Sequence, residues 1–323
     1  MEHCGPGSHM PPEAWCGNAA WFPGYPAAIR GFAWLTRLPV EAVGVLLSAA
    51  CTLALLFLVQ SMVTRDEAGR IGPVHQGLVL FLAAFFPGCI YYVALFPISL
   101  FLCGALVFLR ACATRRYLVA FVAGAVCGVT YSTGFLLALV PLAAAILERR
   151  RQAWDVRVLL AAAGPAAGLA AVFFLQRYQT GTWDAYARIQ ANYAYDAPAF
   201  LDTLLSRLKP LVNPRYRSFA TATTATQTLL VLALIAAAVA GWLRTPREER
   251  SPLTNLTGIY LVLYWAFPLC VGGRISLYRA ESLLLPAVLL TTSWPGRRLA
   301  AAVCAAIAIS LPMSWLFFRS ILV

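Results

Sequence analysis

Apolar residues run along this chain in long blocks and do not alternate with polar ones. Roughly 42–64, 77–87, 96–111, 118–131, 133–148, 158–175, 228–244, 255–271, 280–294 and 299–318 each read as hydrophobic helix, with Gly, Pro and Arg collecting between them. A helix that is apolar on every side belongs in a core or in a bilayer. These stretches nearly exhaust the chain, so no soluble domain of useful size is left over. Several fall short of the ~20 residues a full span needs. The two that meet at Ser132-Thr133-Gly134 are expected to tilt, or to be buried among neighbours with re-entrant ends. The pattern predicts an all-α fold: a polytopic transmembrane bundle of about ten helices, some short or re-entrant.

Three segments break the pattern. Residues 1–22 are polar and rich in Gly and Pro, with neither a charged n-region nor an apolar h-region, so they are not a signal peptide. Residues 23–39 carry Ile29, Phe32, Ala33, Trp34 and Leu35 among Arg30 and Arg37, the pattern of a short amphipathic helix lying in the membrane interface. Residues 176–227 form one long polar excursion. Within it Phe200, Leu201, Leu204, Leu205 and Leu208 recur at helical spacing between Pro198 and Pro210. Membrane helices then fill 40–175 and 228–323. No fixed-period repeat and no inverted pair of broken helices is visible, which counts against a secondary transporter.

Composition narrows the class. Hydrophobic residues make up 61% of the chain and charged ones only 12%, against roughly a quarter charged in soluble domains. That excludes an ordinary soluble enzyme, a disordered protein and a coiled coil. The net charge of +12 would suit nucleic acid only on a solvated basic face, and no such face is expected. With the N-terminus outside and the sides alternating, one set of loops holds Arg65, Arg70, Arg110, Arg115, Arg116, Arg149, Arg150, Arg151, Arg157, Arg244, Arg247, Arg250, Arg297 and Arg298. Most of the other cations fall in the long excursion, where the positive-inside rule has little force. The expected topology is multi-pass and integral, with 1–22 and 176–227 extracytoplasmic. The Asn255-Leu256-Thr257 sequon then faces inside and reads as chance.

Signatures of soluble catalysis are absent: no phosphate-binding loop, no His-Glu-x-x-His, no Cys-x-x-Cys, no Gly-x-Ser-x-Gly. The three histidines are scattered, so no metal site is expected. Cys4 and Cys16 lie in the polar N-terminal loop and are candidates for a disulfide if that loop meets an oxidising compartment. The other cysteines sit in or beside apolar runs as small hydrophobes. The informative groups are ionisable residues near apolar helix ends, which are costly unless paired, wetted or used. Arg274 and Arg279, beside Glu281, are candidates to hold a phosphate, because the guanidinium fork gives two hydrogen bonds to adjacent oxygens. The alternative is that Arg279 snorkels or pairs with Glu281. Asp184 and Asp196 are loop carboxylates placed to orient a sugar or an acceptor, and Tyr91 is a candidate groove residue. Trp15, Trp21, Phe22, Tyr25, Trp183, Tyr186, Tyr193 and Tyr195 suit an interfacial belt or a sugar- or lipid-binding groove.

Several blocks resemble the PIG-V-like mannosyltransferases, multi-spanning GT-C enzymes related to the GPI second mannosyltransferase. AWFPGYPAAIRGFAWL is similar to the family's AFFPLYPLLIR block. FFPGCIYYVALFPISLF is similar to its segment ending in Tyr-x-x-Ser-Leu-Phe, with Pro87, Tyr91, Ser99, Leu100 and Phe101 in the matching positions. AGAVCGVTYSTGFLL resembles its TRxTGxLL block, with Tyr131 where the family has Arg. GTWDAYARIQANY and SLYRAESLLLP resemble two later blocks, and the whole likeness covers about 19–295. The resemblance implies a GT-C bundle and a polyprenyl-phosphate-sugar donor, with a glycolipid, glycan or protein as acceptor. It also implies a first-loop carboxylate as general base, in a motif expected upstream of Met1 together with a further helix. Glu13 is the remaining first-loop candidate. The residues name no cofactor, and they hold no clustered carboxylate pair that would signal a divalent cation. Ala- and Arg-rich usage and the bacterial type of the blocks point to a bacterial plasma membrane. The competing expectations are a flippase or transporter of lipid-linked intermediates and a non-catalytic accessory protein.

Overall fold

A computed structural model describes residues 2–3, 15–16, 21–66, 71–148, 155–191, 200–246, 248–271 and 276–322. Apart from a two-residue strand pair, β1 (Glu2–His3) with β2 (Trp15–Cys16), the described chain is helical. The helices are α1 (Gly24–Thr36), α2 (Val40–Asp66), α3 (Pro73–Ala84), α4 (Ile90–Val93), α5 (Ile98–Ala113), α6 (Tyr117–Thr130) and α7 (Leu139–Glu148). They continue with α8 (Val158–Thr180), α9 (Ala185–Gln190), α10 (Phe200–Val212), α11 (Phe219–Arg244), α12 (Pro252–Val271), α13 (Leu277–Ala280) and α14 (Gly296–Phe318). Two 3-10 helices, Ser132–Ala138 and Glu281–Ser293, complete the set.

Every apolar block of the sequence is helical. Five of the helices, α2, α8, α11, α12 and α14, are long and apolar enough to cross a membrane. Their outward faces carry bare hydrocarbon, as at Leu53, Phe57, Phe174 and Leu311, more than a monomer can leave in water. The chain therefore fits an integral membrane protein. The segment expected to lie in the interface is helical as α1, with Phe32, Trp34 and Leu35 exposed. The long excursion is shorter than its composition suggests. α8 continues through the polar Gln176–Thr180, and α11 already starts at Phe219, where Ser218 and Thr221 form a capping box.

The tightest joint is α6 against α8. Gly124 and Gly128 of α6 meet Gly164, Pro165 and Gly168 of α8, and a Cβ at Gly164 would lie 2.2 Å from the Phe121 carbonyl oxygen. Glycines four apart on each helix let the two backbones touch, which is how helices associate where lipid offers no hydrophobic drive.

Two blocks depart from α geometry where proline and breaks require it. Pro286 has no N–H, so Ser282 and Leu283, the carbonyls it would serve in α or 3-10 geometry, need other donors. Tyr92 donates to the Ser282 carbonyl at 3.0 Å and Tyr260 to that of Leu283 at 2.7 Å. At the other break Tyr264 donates to the Thr133 carbonyl at 2.9 Å. Tyr260→Phe is expected to cost about 1–3 kcal/mol, the penalty of orphaning a buried acceptor. A lowered melting temperature in detergent would register it, and an unchanged one would refute this account.

The bundle has two distinct ends. At one, Arg110 donates to Ser61, Tyr117 to Asp155 and Trp242 to Asn255. This end gathers Arg115, Arg116, Arg157 and Arg250 beside its helix ends and Arg244, Arg297 and Arg298 in the terminal turns of α11 and α14. Tyr117 and the Arg157 backbone N–H both donate to Asp155; the backbone bond is the larger reason its carboxyl titrates below the ordinary range. The opposite end holds the entrance of α1, the tails of α6 and α12, and α9.

Candidate functional site

At that opposite end two cavity lobes share the walls Tyr131, Ser132 and Gln190. The first, about 400 Å³, is bounded by Trp21, Phe22, Tyr25 and Pro26 of α1 and its lead-in, by Leu95, Phe96 and Pro97, and by Arg279. The second, about 430 Å³, is bounded by Thr133, Phe135, Leu136, Tyr186, Tyr264, Phe267, Pro268, Val271, Ala280 and Leu283. Both volumes suit a small ligand. The second wall is mostly hydrocarbon, with the Thr133 hydroxyl buried and without a partner. Among the described residues lining the lobes none is Asp or Glu.

α1 is seated by Tyr25, whose hydroxyl meets the Ser48 hydroxyl of α2. Ser48 in turn donates to the Ala94 carbonyl at 2.9 Å. This network aims Trp21, Phe22 and Tyr25 into the first lobe. From the other side Tyr186 of α9 packs edge-on against Phe22 and Phe173, at 6.0 and 6.2 Å between ring centroids. The loop around Trp183 and the turn bearing Arg279 therefore lie at the same end of the bundle.

Among the described residues lining the lobes, Arg279 is the one cation. Its guanidinium sits 4.7 Å from the Phe96 ring centroid and 5.6 Å from that of Tyr91, and it hydrogen-bonds the Tyr91 hydroxyl. The same hydroxyl donates to the Leu322 carbonyl at 3.2 Å. Arg279 Nε is buried with no hydrogen-bond partner. Pairing with Glu281, the alternative raised by their spacing, is not what is seen. Glu281 is 3% exposed and turned the other way, accepting from Gln227 Nε2 at 2.8 Å and from Thr228.

Of the other site candidates that the structure describes, Tyr91 and Asp184 do not join Arg279 in the lobes. Tyr91 is fully buried and is no groove residue; it is the platform under Arg279, because its ring is enclosed by Phe96, Tyr278 and Phe317. Asp184 is exposed and ion-paired with Arg188 at 2.7 Å, one turn along α9. That hydrogen bond holds its carboxyl below the usual range, and neither residue lines the lobes. Arg274, Asp196, Glu13, Cys4 and the Cys16 side chain lie outside the described residues. Gln190 and Gln227 were not singled out by sequence; Tyr131, which with Ser132 and Gln190 is shared by the two lobes, was noted there only as a departure from the family block, and Ser132 and Thr133 only as the meeting point of two helices. The one available signal was Gln227, an amide inside the Thr- and Leu-rich start of a membrane-type helix. Among the described residues no three His, Cys, Asp or Glu side chains converge as metal ligands.

No protein-family model matches the chain, and no curated protein does.

Proposed function

We propose that the chain is a multi-pass membrane glycosyltransferase of GT-C type, mannosyltransferase-like, using a polyprenyl-phosphate-sugar donor at the extracytoplasmic face of a bacterial plasma membrane. The observation that carries this reading is that, among the described residues, Arg279 is the one charged side chain lining a lobe walled by aromatic, apolar and uncharged polar residues. The cavity lies at the end of the bundle away from the arginine-rich loops. A lipid phosphate has matching parts: an anionic head for Arg279 and a hydrocarbon chain for the apolar walls. Aromatic faces and the amide of Gln190 suit a sugar between them.

In the proposed reaction an acceptor hydroxyl attacks the anomeric carbon, and the bond from that carbon to the phosphate oxygen breaks. The hydroxyl proton passes to a carboxylate, and the departing lipid phosphate gathers charge where Arg279 can stabilise it. Ten crossings are part of the proposal. At about 2.0 Å per residue the 3-10 helix Glu281–Ser293 reaches about 26 Å, and with α13 about 32 Å, enough for the ~30 Å of a hydrocarbon core. Ser132–Ala138 together with α7 reaches about 29 Å on the same reckoning. The ordered blocks resembling the PIG-V-like family support the same reading.

One observation favours a second reading, a flippase of lipid-linked intermediates. The interrupted segments 132–138 and 281–293 both contribute to the second lobe, and helix interruptions facing a cavity are how many transporters build their sites. Membranes containing the protein, supplied with radiolabelled polyprenyl-phosphate mannose, separate the two. Transfer of label into an acceptor fraction, lost in Arg279→Ala, is expected. Movement of a fluorescent polyprenyl phosphate between liposome leaflets, with no transfer of label, would establish the flippase in its place.

A further inference from the structure

We infer that Gln227 and Glu281 are positioning residues that set the direction of Arg279, an inference resting on the anion-binding reading of the cavity. Gln227 of α11 is fully buried, and its single amide nitrogen makes two bonds. It donates to the Tyr278 carbonyl at 2.9 Å and to Glu281 Oε2 at 2.8 Å. Those acceptors lie immediately before Arg279 and two residues after it, so one side chain spans the turn from which the guanidinium projects. With both hydrogens of Nε2 used, the amide has one orientation, and Gln227 Oε1 is left buried without a partner.

The same turn is gripped elsewhere. Ser282 Oγ donates to the Arg279 carbonyl at 2.7 Å, and Tyr92 takes the Ser282 carbonyl. Gly88, at φ +86°, lies so close that a Cβ there would sit 2.8 Å from Ser282 Cβ. Against this, Glu281 is costly. It is a carboxylate at 3% exposure whose hydrogen bonds come from an amide and a hydroxyl, with Arg207 of α10 contributing attraction from across the helix packing. Burying such a group is expensive, and here its acceptor atoms tie α11 to the Arg279 turn. Holding a ligand-binding cation in one geometry before the ligand arrives is what a rigid supporting shell provides.

Binding of farnesyl phosphate and of farnesol to the purified full chain in detergent tests this. Arg279→Ala is the reference: it is expected to lose farnesyl phosphate and keep farnesol. Wild-type binding of both by that variant would remove the anion-binding reading itself. Given that reference, Glu281→Leu and Gln227→Met are expected to weaken farnesyl phosphate by on the order of 10-fold, the lower end of what losing a supporting hydrogen-bond partner costs a ligand site. Farnesol binding should be unchanged in both. Glu281→Gln keeps an acceptor for Gln227 and Thr228 and should bind farnesyl phosphate within about twofold of wild type on the same ground. If Glu281→Leu does not purify folded, Gln227→Met carries the comparison. Wild-type affinity in Gln227→Met, or equal weakening toward both ligands, overturns the inference.

Discussion

Gly164→Leu is expected to yield no folded protein, and Gly164→Ala to lose about 3 kcal/mol or more, at or above the top of the usual cost of overpacking. The reason is geometric. The first side-chain carbon added at Gly164 would sit 2.2 Å from the Phe121 carbonyl oxygen, and one added at Gly168 would sit 2.3 Å from that of Ala125. These obstacles are backbone atoms and cannot swing aside. α8 would have to retreat from α6 along its whole contact, and the Pro165 ring, packed on Gly124, would lose its seat. The control runs the other way. At Gly77 in α3 an added Cβ would meet nothing within 4 Å, so Gly77→Ala should be neutral or stabilising by up to about 1 kcal/mol, the helix-propensity difference. Melting in detergent, followed by size-exclusion fluorescence, measures both. Equal melting temperatures for Gly164→Ala and Gly77→Ala would refute the close-contact account.

The helices were legible because long apolar runs bounded by Arg, Gly and Pro leave few alternatives, and α1 was legible as a helix from Ile29, Phe32 and Trp34 spaced among Arg30 and Arg37. The extent of the polar excursion was harder to see. Gln176, Tyr178 and Thr180 are polar by composition yet continue α8, while the Thr-rich start of α11 gives no apolar signal before Leu229. The 3-10 stretches were hidden for a different reason: hydropathy has no term for rise per residue. Pro286 lies inside one of them, and its cost is offset by Tyr92 and Tyr260, distant in sequence. The site was half legible. Arg279 stood out as a cation at an apolar helix end, and Trp21, Phe22 and Tyr25 as clustered aromatics. That Glu281 turns to Gln227 and leaves Arg279 to the rings of Phe96 and Tyr91 depends on three-dimensional packing that two-residue spacing does not encode.

In the proposed transferase, Arg279→Ala is expected to lower kcat/KM for sugar transfer by about 10²–10³-fold, the scale on which removing one preorganised donor to a developing anion acts. The loss should fall on kcat as well as KM, because charge on the phosphate grows as its bond to the sugar breaks. Arg279→Lys tests the geometry. A lysine keeps the charge, but it lacks the planar, delocalised fork that sits 4.7 Å from the Phe96 ring centroid and 5.6 Å from that of Tyr91, so it should recover only part of the rate. Full recovery by lysine would mean that a point charge suffices and that the guanidinium fork is incidental. Phe96→Leu removes the nearer ring while leaving Arg279 in place; a loss smaller than that of Arg279→Ala is expected, since a cation over an aromatic face contributes about 0.5–2 kcal/mol. If Arg279→Ala transferred sugar as fast as wild type, the leaving phosphate would have to depart somewhere other than the first lobe. The cavity would then lose its place in the reaction.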